Sequence, residues 1–173
     1  MQVFLIRHPQ PNVDKGICYG QTDLSLASHP QELAGQLLDS LPANIAVYSS
    51  PLRRCHELAA LLHPQPMLDD RLKEMHFGQW EMQTWQTIPR QQMNAWVDDP
   101  LGYVIPDGES VRQVKQRVLS FMQEKSGRHE SMVMVTHAGI MKIMYGIQGN
   151  IPPSGWLPMP FDYGEMLCLQ WPD

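Results

Sequence analysis

The chain has 173 residues, 43% of them apolar and 18% charged, which excludes a disordered or low-complexity polypeptide and suits one compact domain spanning residues 1–173. Thirteen Lys and Arg stand against eighteen Asp and Glu, a formal net charge of −5, and with no basic run present this excludes an electrostatic nucleic-acid binder. The longest apolar runs, Val3 to Ile6 and Met132 to Val135, fall far short of the roughly 20 residues of a membrane span, so no membrane partner is expected.

Gln2 to Ile6 is a short apolar run, the pattern of a strand buried on both faces of a parallel sheet. A helix is expected from Pro30 to Leu41, followed by a second buried strand at Ile45 to Tyr48. Ser49 and Ser50 then offer a cap, Pro51 suits a first helical position, and Leu52, Leu58, Ala59 and Leu62 recur at helical spacing. From Gly78 to Gly108 the pattern weakens: Trp80, Trp85 and Trp96 sit among Gln, Asn, Asp and Pro, and residues 79–107 are expected to leave the sheet beside the site. Those tryptophans have two uses, packing or stacking on an aromatic substrate, between which spacing does not choose. Ser110 and Gln113 fit a capping box ahead of an apolar stripe at Val111, Val114, Val118, Phe121 and Met122. Met132 to Val135 is a third buried strand with a helix after His137, Ile151 to Pro160 reads as a loop, and a late strand lies near Glu165 to Gln170. Alternating strands and helices predict an α/β fold with a mostly parallel central sheet.

Two of these strands deliver a histidine at their carboxyl ends, His8 and His137. In a parallel sheet both fall on one edge, where open α/β sheets place their ligand crevice. Arg7 joins them, and the second strand delivers Arg53 and Arg54, which diverge by about 100° on a helix so that one faces the edge. Arginine forks and helix N-termini suit a phosphate group, and a neutral imidazole is a competent nucleophile toward phosphorus. A leaving alkoxide needs a proton, for which Glu74, Glu81 and Glu109 are candidates. No metal centre is predicted: His29, His56, His63, His76 and His129 lack paired ligand spacing, and after His56-Glu57 it is Ala60 that stands where a second ligand would fall. Cys18, Cys55 and Cys168 form neither an even set nor a CxxC pair, which points to a reducing, cytoplasmic setting.

Taken in order, Arg7-His8, Ser50-Pro-Leu-Arg-Arg54, Leu72-Lys-Glu-Met-His-Phe-Gly78, Asp107-Gly-Glu-Ser110 and Thr136-His-Ala-Gly139 resemble the motif series of the histidine phosphatase (phosphoglycerate mutase-like) superfamily across nearly the whole chain. The resemblance implies a three-layer αβα sandwich and a metal-independent phosphomonoesterase without cofactor that acts on small-molecule phosphate esters. It implies His8 as the nucleophile that becomes phosphohistidine and Glu74 as proton donor. Arg7, Arg54 and His137 are implied as the phosphate clamp, with His137 also in the catalytic set. The run from Gly16 to Leu26 and the run from Phe77 to Met82 are most similar to α-ribazole phosphatases of cobalamin nucleotide-loop assembly, which implies α-ribazole 5′-phosphate as substrate. Alternatives are a broad-specificity phosphatase or mutase on sugar or glycerate phosphates, and an inactive phosphate-binding module. Mutases of the family resemble this chain in motif but carry longer insertions. The chain departs from the family at Pro9, in place of the usual glycine, at Asp14, near the usual asparagine, and at Cys55, in place of a small alanine.

Overall fold

The structure, a computed structural model, describes residues 1–172. Its five strands are β1 (Gln2–Arg7), β2 (Ala46–Ser49), β3 (Met67–Leu68), β4 (Ser131–Thr136) and β5 (Met166–Gln170), in the sheet order β3-β2-β4-β1-β5. β1 to β4 pair parallel and β5 lies antiparallel beside β1. The five α-helices are α1 (Gln31–Leu38), α2 (Arg53–Leu62), α3 (Arg90–Asp98), α4 (Val111–Lys125) and α5 (Ala138–Gln148).

Strand alternation builds two cores. Phe4, Ile6, Val47, Val133 and Val135 face α1 and α2, where Ala34, Leu37, Leu58 and Leu62 meet them. Val3, Leu5, Tyr48, Met132 and Met134 face the other way, against Val118, Phe121 and Met122 of α4 and Ile140, Met141 and Met144 of α5. The result is an αβα sandwich of three layers. Each fully buried side chain of this kind contributes about 1.5–3 kcal/mol relative to exposure, so the two cores together anchor the sheet from both sides. The parallel register then brings the carboxyl ends of β1, β2 and β4 to a common edge, with Arg7 opposite Thr136 and Ser49 opposite Val135.

Two helix starts differ in how local they are. α4 carries the expected capping box: Ser110 Oγ accepts from Gln113 N–H while the Gln113 side chain accepts from Ser110 N–H. α2 begins later than the Ser49-Ser50-Pro51 pattern predicts, because Leu52 in extended backbone is its N-cap. Its first N–H, on Arg53, donates instead to Asp23 Oδ1 at 2.7 Å, a carboxylate brought from 30 residues upstream and well placed against the helix dipole.

Residues 79–107 leave and rejoin the sheet region at a narrow base. Gln79 N–H donates to Pro106 O at 2.9 Å and Glu109 N–H to His76 O at 2.8 Å. Gly78 (φ +49°) and Gly108 are pressed backbone to backbone, and a Cβ on Gly108 would stand 2.9 Å from Gly78 N. Glycine at 78 therefore answers both a left-handed conformation and a lack of room. The weakly patterned segment contains α3, a helix without a fully buried residue, whose Met93 and Trp96 rest partly buried on the core next to α4 and α5.

Candidate active site

His8 and His137 stand one residue beyond β1 and β4, their ring centroids 5.0 Å apart. Arg54 reaches them from the first turn of α2: its Nε donates to His8 Nε2 at 3.3 Å and its Nη2 to His137 Nδ1 at 3.3 Å. A guanidinium only donates, so both of those imidazole nitrogens are acceptors and the two tautomers follow. His8 carries its proton on Nδ1 and donates it to Pro9 O at 2.7 Å; His137 carries its proton on Nε2 and donates it to Ser50 Oγ at 2.9 Å. The proline at position 9 gives up an N–H, yet its carbonyl orients the imidazole.

His8 is 1% exposed, Arg54 and His137 0%. Burial, reinforced by the Arg54 charge, holds His8 down to about 3, and burial next to His8 and Arg54 holds His137 well below its ordinary value. Both are neutral near neutrality, whereas an unfolded histidine protonates below about 6.5. Between about pH 6.5 and about pH 3 the unfolded chain binds a proton that folded His8 does not, so stability falls as pH is lowered through that window. The loss reaches about 1.4 kcal/mol per pH unit for each such histidine. Urea unfolding from neutrality down to about pH 4 is expected to show this slope, reduced by one histidine's share in His8→Asn. An unchanged slope in the variant would place the responsible group elsewhere.

Arg7 lies on the other side of His8. Its guanidinium sits 3.8 Å from the Tyr163 ring centre, Nη1 donates to Phe161 O, and Nε is buried and without a partner among the described residues. Arg54 is further held by the carbonyls of Gly20 (2.6 Å) and Thr22 (2.9 Å). Arg53, as the helical divergence predicts, points away and pairs with Glu57 in solvent.

Glu74 accepts from Met75 N–H at 3.0 Å and from Gly139 N–H, at the start of α5, at 3.1 Å. A side chain at 139 would run into this carboxylate, so glycine allows the approach. Glu81 is differently employed: its oxygens accept from the backbone of Gln21, Thr22 and Phe77, and from the Thr22 hydroxyl. Glu109 takes Arg117 and His76 N–H. Of the three candidate acids, Glu74 alone lines the cavity described next.

That cavity has a volume of about 740 Å³, and Arg7, Glu74, Gly139, Tyr19 and Tyr163 stand at its reactive end. Beyond them it is mainly apolar, with Met75, Phe77, Trp85, Trp96, Ile143 and Trp156 in its walls. His8, Arg54 and His137 are buried and are not among the residues that line it. Tyr19 and Tyr163 flank His8 (ring centroids 6.5 and 5.7 Å) and join hydroxyl to hydroxyl at 3.0 Å. Burial and that bond push the Tyr19 phenol up.

Several shaping residues carry no sequence signal of their own. Arg117 donates to the carbonyls of Arg71, Lys73 and Glu74 and so holds the Glu74 segment, while Tyr19 and Tyr163 meet from segments 144 residues apart. Cys55 packs its Sγ 3.4 Å from His137 Nε2, and burial pushes its thiol up, which keeps it an unreactive filler.

The profile of the histidine phosphatase superfamily (branch 1) matches residues 3–173. The chain belongs to the histidine phosphatase superfamily. A Hydrogenobacter thermophilus protein provisionally named phosphoserine phosphatase 2 is 30% identical over 153 residues, 81% of this chain and 74% of its own. A phosphoglycerate mutase structure from Thermus thermophilus superposes with a TM-score of 0.81 at 28% identity, covering 99% of this chain and 94% of that one. The structure of an Escherichia coli protein, a candidate α-ribazole-5′-P phosphatase, gives a TM-score of 0.83 at 23% identity over 97% of this chain and 89% of that one, and so shares the fold. As a histidine phosphatase, the protein is a phosphatase of small-molecule phosphate esters.

Proposed function

We propose that this histidine phosphatase hydrolyses phosphate monoesters without a metal ion, through a phosphohistidine on His8. The observation that carries the reading is the tautomer of His8: with Nδ1–H given to Pro9 O, the Nε2 lone pair faces the guanidinium that would hold the phosphoryl oxygens. Nε2 attacks phosphorus, the bond to the ester oxygen breaks, and Glu74 delivers a proton to that oxygen. Water then attacks the phosphohistidine, Glu74 takes its proton, and phosphate leaves. Arg7, Arg54 and His137 spread the charge of the transferring group, the task most phosphoryl transfer sets the protein.

Arg54 now spends two donors on the carbonyls of Gly20 and Thr22, and His137 spends both nitrogens on Arg54 and Ser50. Phosphate oxygens take over the guanidinium donors and the His137 Nε2–H when the ester enters.

For the alcohol half, the motif similarity of Gly16 to Leu26 and the size of the cavity support α-ribazole 5′-phosphate. The test is release of inorganic phosphate with excess chelator from α-ribazole 5′-phosphate, 3-phosphoglycerate, mononucleotides and sugar phosphates. Acid-labile, base-stable phosphorylated protein is expected in rapid quench. Isomerised ester without free phosphate would make the protein a mutase, and no turnover on any ester would make it an inactive binding module.

A further inference from the structure

Resting on that reading, we propose that an aromatic wall of Trp85, Trp96 and Phe77 selects the alcohol, so that the enzyme prefers esters of ring-bearing alcohols to esters of small charged acids. Glu74 lines the cavity, so the ester oxygen it protonates lies on the cavity side and the alcohol extends into the chamber beyond. All three aromatic side chains border that chamber. Trp85 and Trp96 are stacked, with centroids 6.1 Å apart and planes 10° apart, and Phe77 stands edge-on to both at 5.5 and 6.3 Å.

The wall is fixed from behind. Trp80, 1% exposed, packs edge-on to Trp96 at 5.7 Å and donates its indole N–H to Gln92, and Trp85 N–H donates to Gly16 O at 3.0 Å. Trp80 is thus a packing residue, while Trp85 and Trp96, partly buried against the core, also border the chamber. A rigid aromatic face gains from covering a ring and loses little entropy in doing so.

The aromatic wall itself carries no charged group. Apart from Arg7 and Glu74, the charged residues that line the chamber are Asp14, Lys15 and Lys142. Asp14 and Lys15 are exposed, and the Lys142 ammonium gives one of its three donors to Leu157 O at 2.7 Å. A carboxylate pressed against the negative faces of the aromatic wall would lose its water without gaining a partner, at a cost above the gain from burying a small alcohol. The class includes a nucleoside with an aromatic base, and it excludes phosphoserine and phosphoglycerate as preferred substrates.

The experiment compares naphthylethyl phosphate with glycerol phosphate, phosphoserine and 3-phosphoglycerate, alkyl esters whose leaving oxygens are similar enough for binding to dominate. The kcat/KM of the naphthylethyl ester is expected to exceed that of phosphoserine by about 100-fold, and Trp85→Ala to lower the ratio of the two by about tenfold or more. Neutral naphthylethanol is expected to inhibit the unmodified enzyme competitively at concentrations where serine and glycerate do nothing, a result independent of whether the variant folds. Phosphoserine or 3-phosphoglycerate turned over as well as the ring-bearing ester would overturn the proposal while leaving the phosphohistidine chemistry standing. Absence of His8-dependent turnover on every ester would overturn the chemistry instead. In that case quenching of tryptophan fluorescence by naphthylethanol, lost in Trp85→Ala, still supports the wall, and no quenching rejects it.

Discussion

His8→Ala is expected to abolish turnover of every phosphate ester while the fold survives. The substitution removes a nitrogen that both faces Arg54 and keeps a lone pair directed by a backbone acceptor behind it. His137, 5.0 Å away ring to ring, presents its protonated Nε2 to Ser50 and is assigned to hold phosphoryl oxygens, so it is not expected to replace His8. Loss of a covalent nucleophile costs on the order of 10⁴-fold or more in kcat, with remaining binding groups unable to compensate. The fold should tolerate the change, because His8 lies beyond the end of β1 and the ladder of β1 against β4 and β5 does not involve its ring. Phosphate release, rapid-quench phosphoprotein and thermal unfolding measured on one preparation decide the matter. An active His8→Ala enzyme, or a phosphoprotein formed without His8, would remove the proposed intermediate.

Glu74→Gln should separate substrates by their leaving groups. Alkyl esters, whose alkoxides need a proton, are expected to slow by about 10² to 10⁴-fold, and nitrophenyl phosphate, whose phenoxide departs unassisted, by far less. The amide keeps the shape of the carboxylate and can still accept one of the two backbone N–H groups, so the position of the side chain survives better than its proton. Equal slowing of both substrates would strip Glu74 of the acid role. Neither Glu81 nor Glu109 stands ready to take it, since the first is bound to Gln21, Thr22 and Phe77 and the second to Arg117 and His76.

What the sequence reveals follows how local each determinant is. β1, β2 and β4 are legible because strands buried on both faces must be apolar throughout, and the start of α4 is legible because both halves of its capping box lie three residues apart. β3 escapes: it has two residues, both exposed, and so carries no pattern. α3 escapes as well, since none of its residues is fully buried and its Gln and Asn leave little periodicity. The start of α2 is misread by two residues, because the carboxylate that takes its first N–H is that of Asp23, which no neighbour of Arg53 announces. In the site, His8, His137 and Arg54 are placed by strand ends and helix phase. Tyr163 and Arg117 are placed only by long-range packing and nothing in their immediate sequence points to them, while Tyr19 lies in the Gly16 to Leu26 run but owes its partner to the same packing.

The narrow neck formed by Gly78, Gly108 and the bonds from Gln79 to Pro106 and from Glu109 to His76 has an evolutionary consequence. Because the two ends of the excursion already touch, the segment between them is a cassette. Its length and composition can be exchanged without re-threading the sheet or displacing the phosphate-handling edge, since the cost of closure at the base rises only slowly with the length that hangs beyond it. Two of the three aromatic rings in the chamber wall, Trp85 and Trp96, travel with that cassette, whereas His8, Arg54 and His137 stay with the scaffold. Grafting residues 79–107 between relatives of this fold is therefore a direct route to changing which alcohol is released while preserving how it is released.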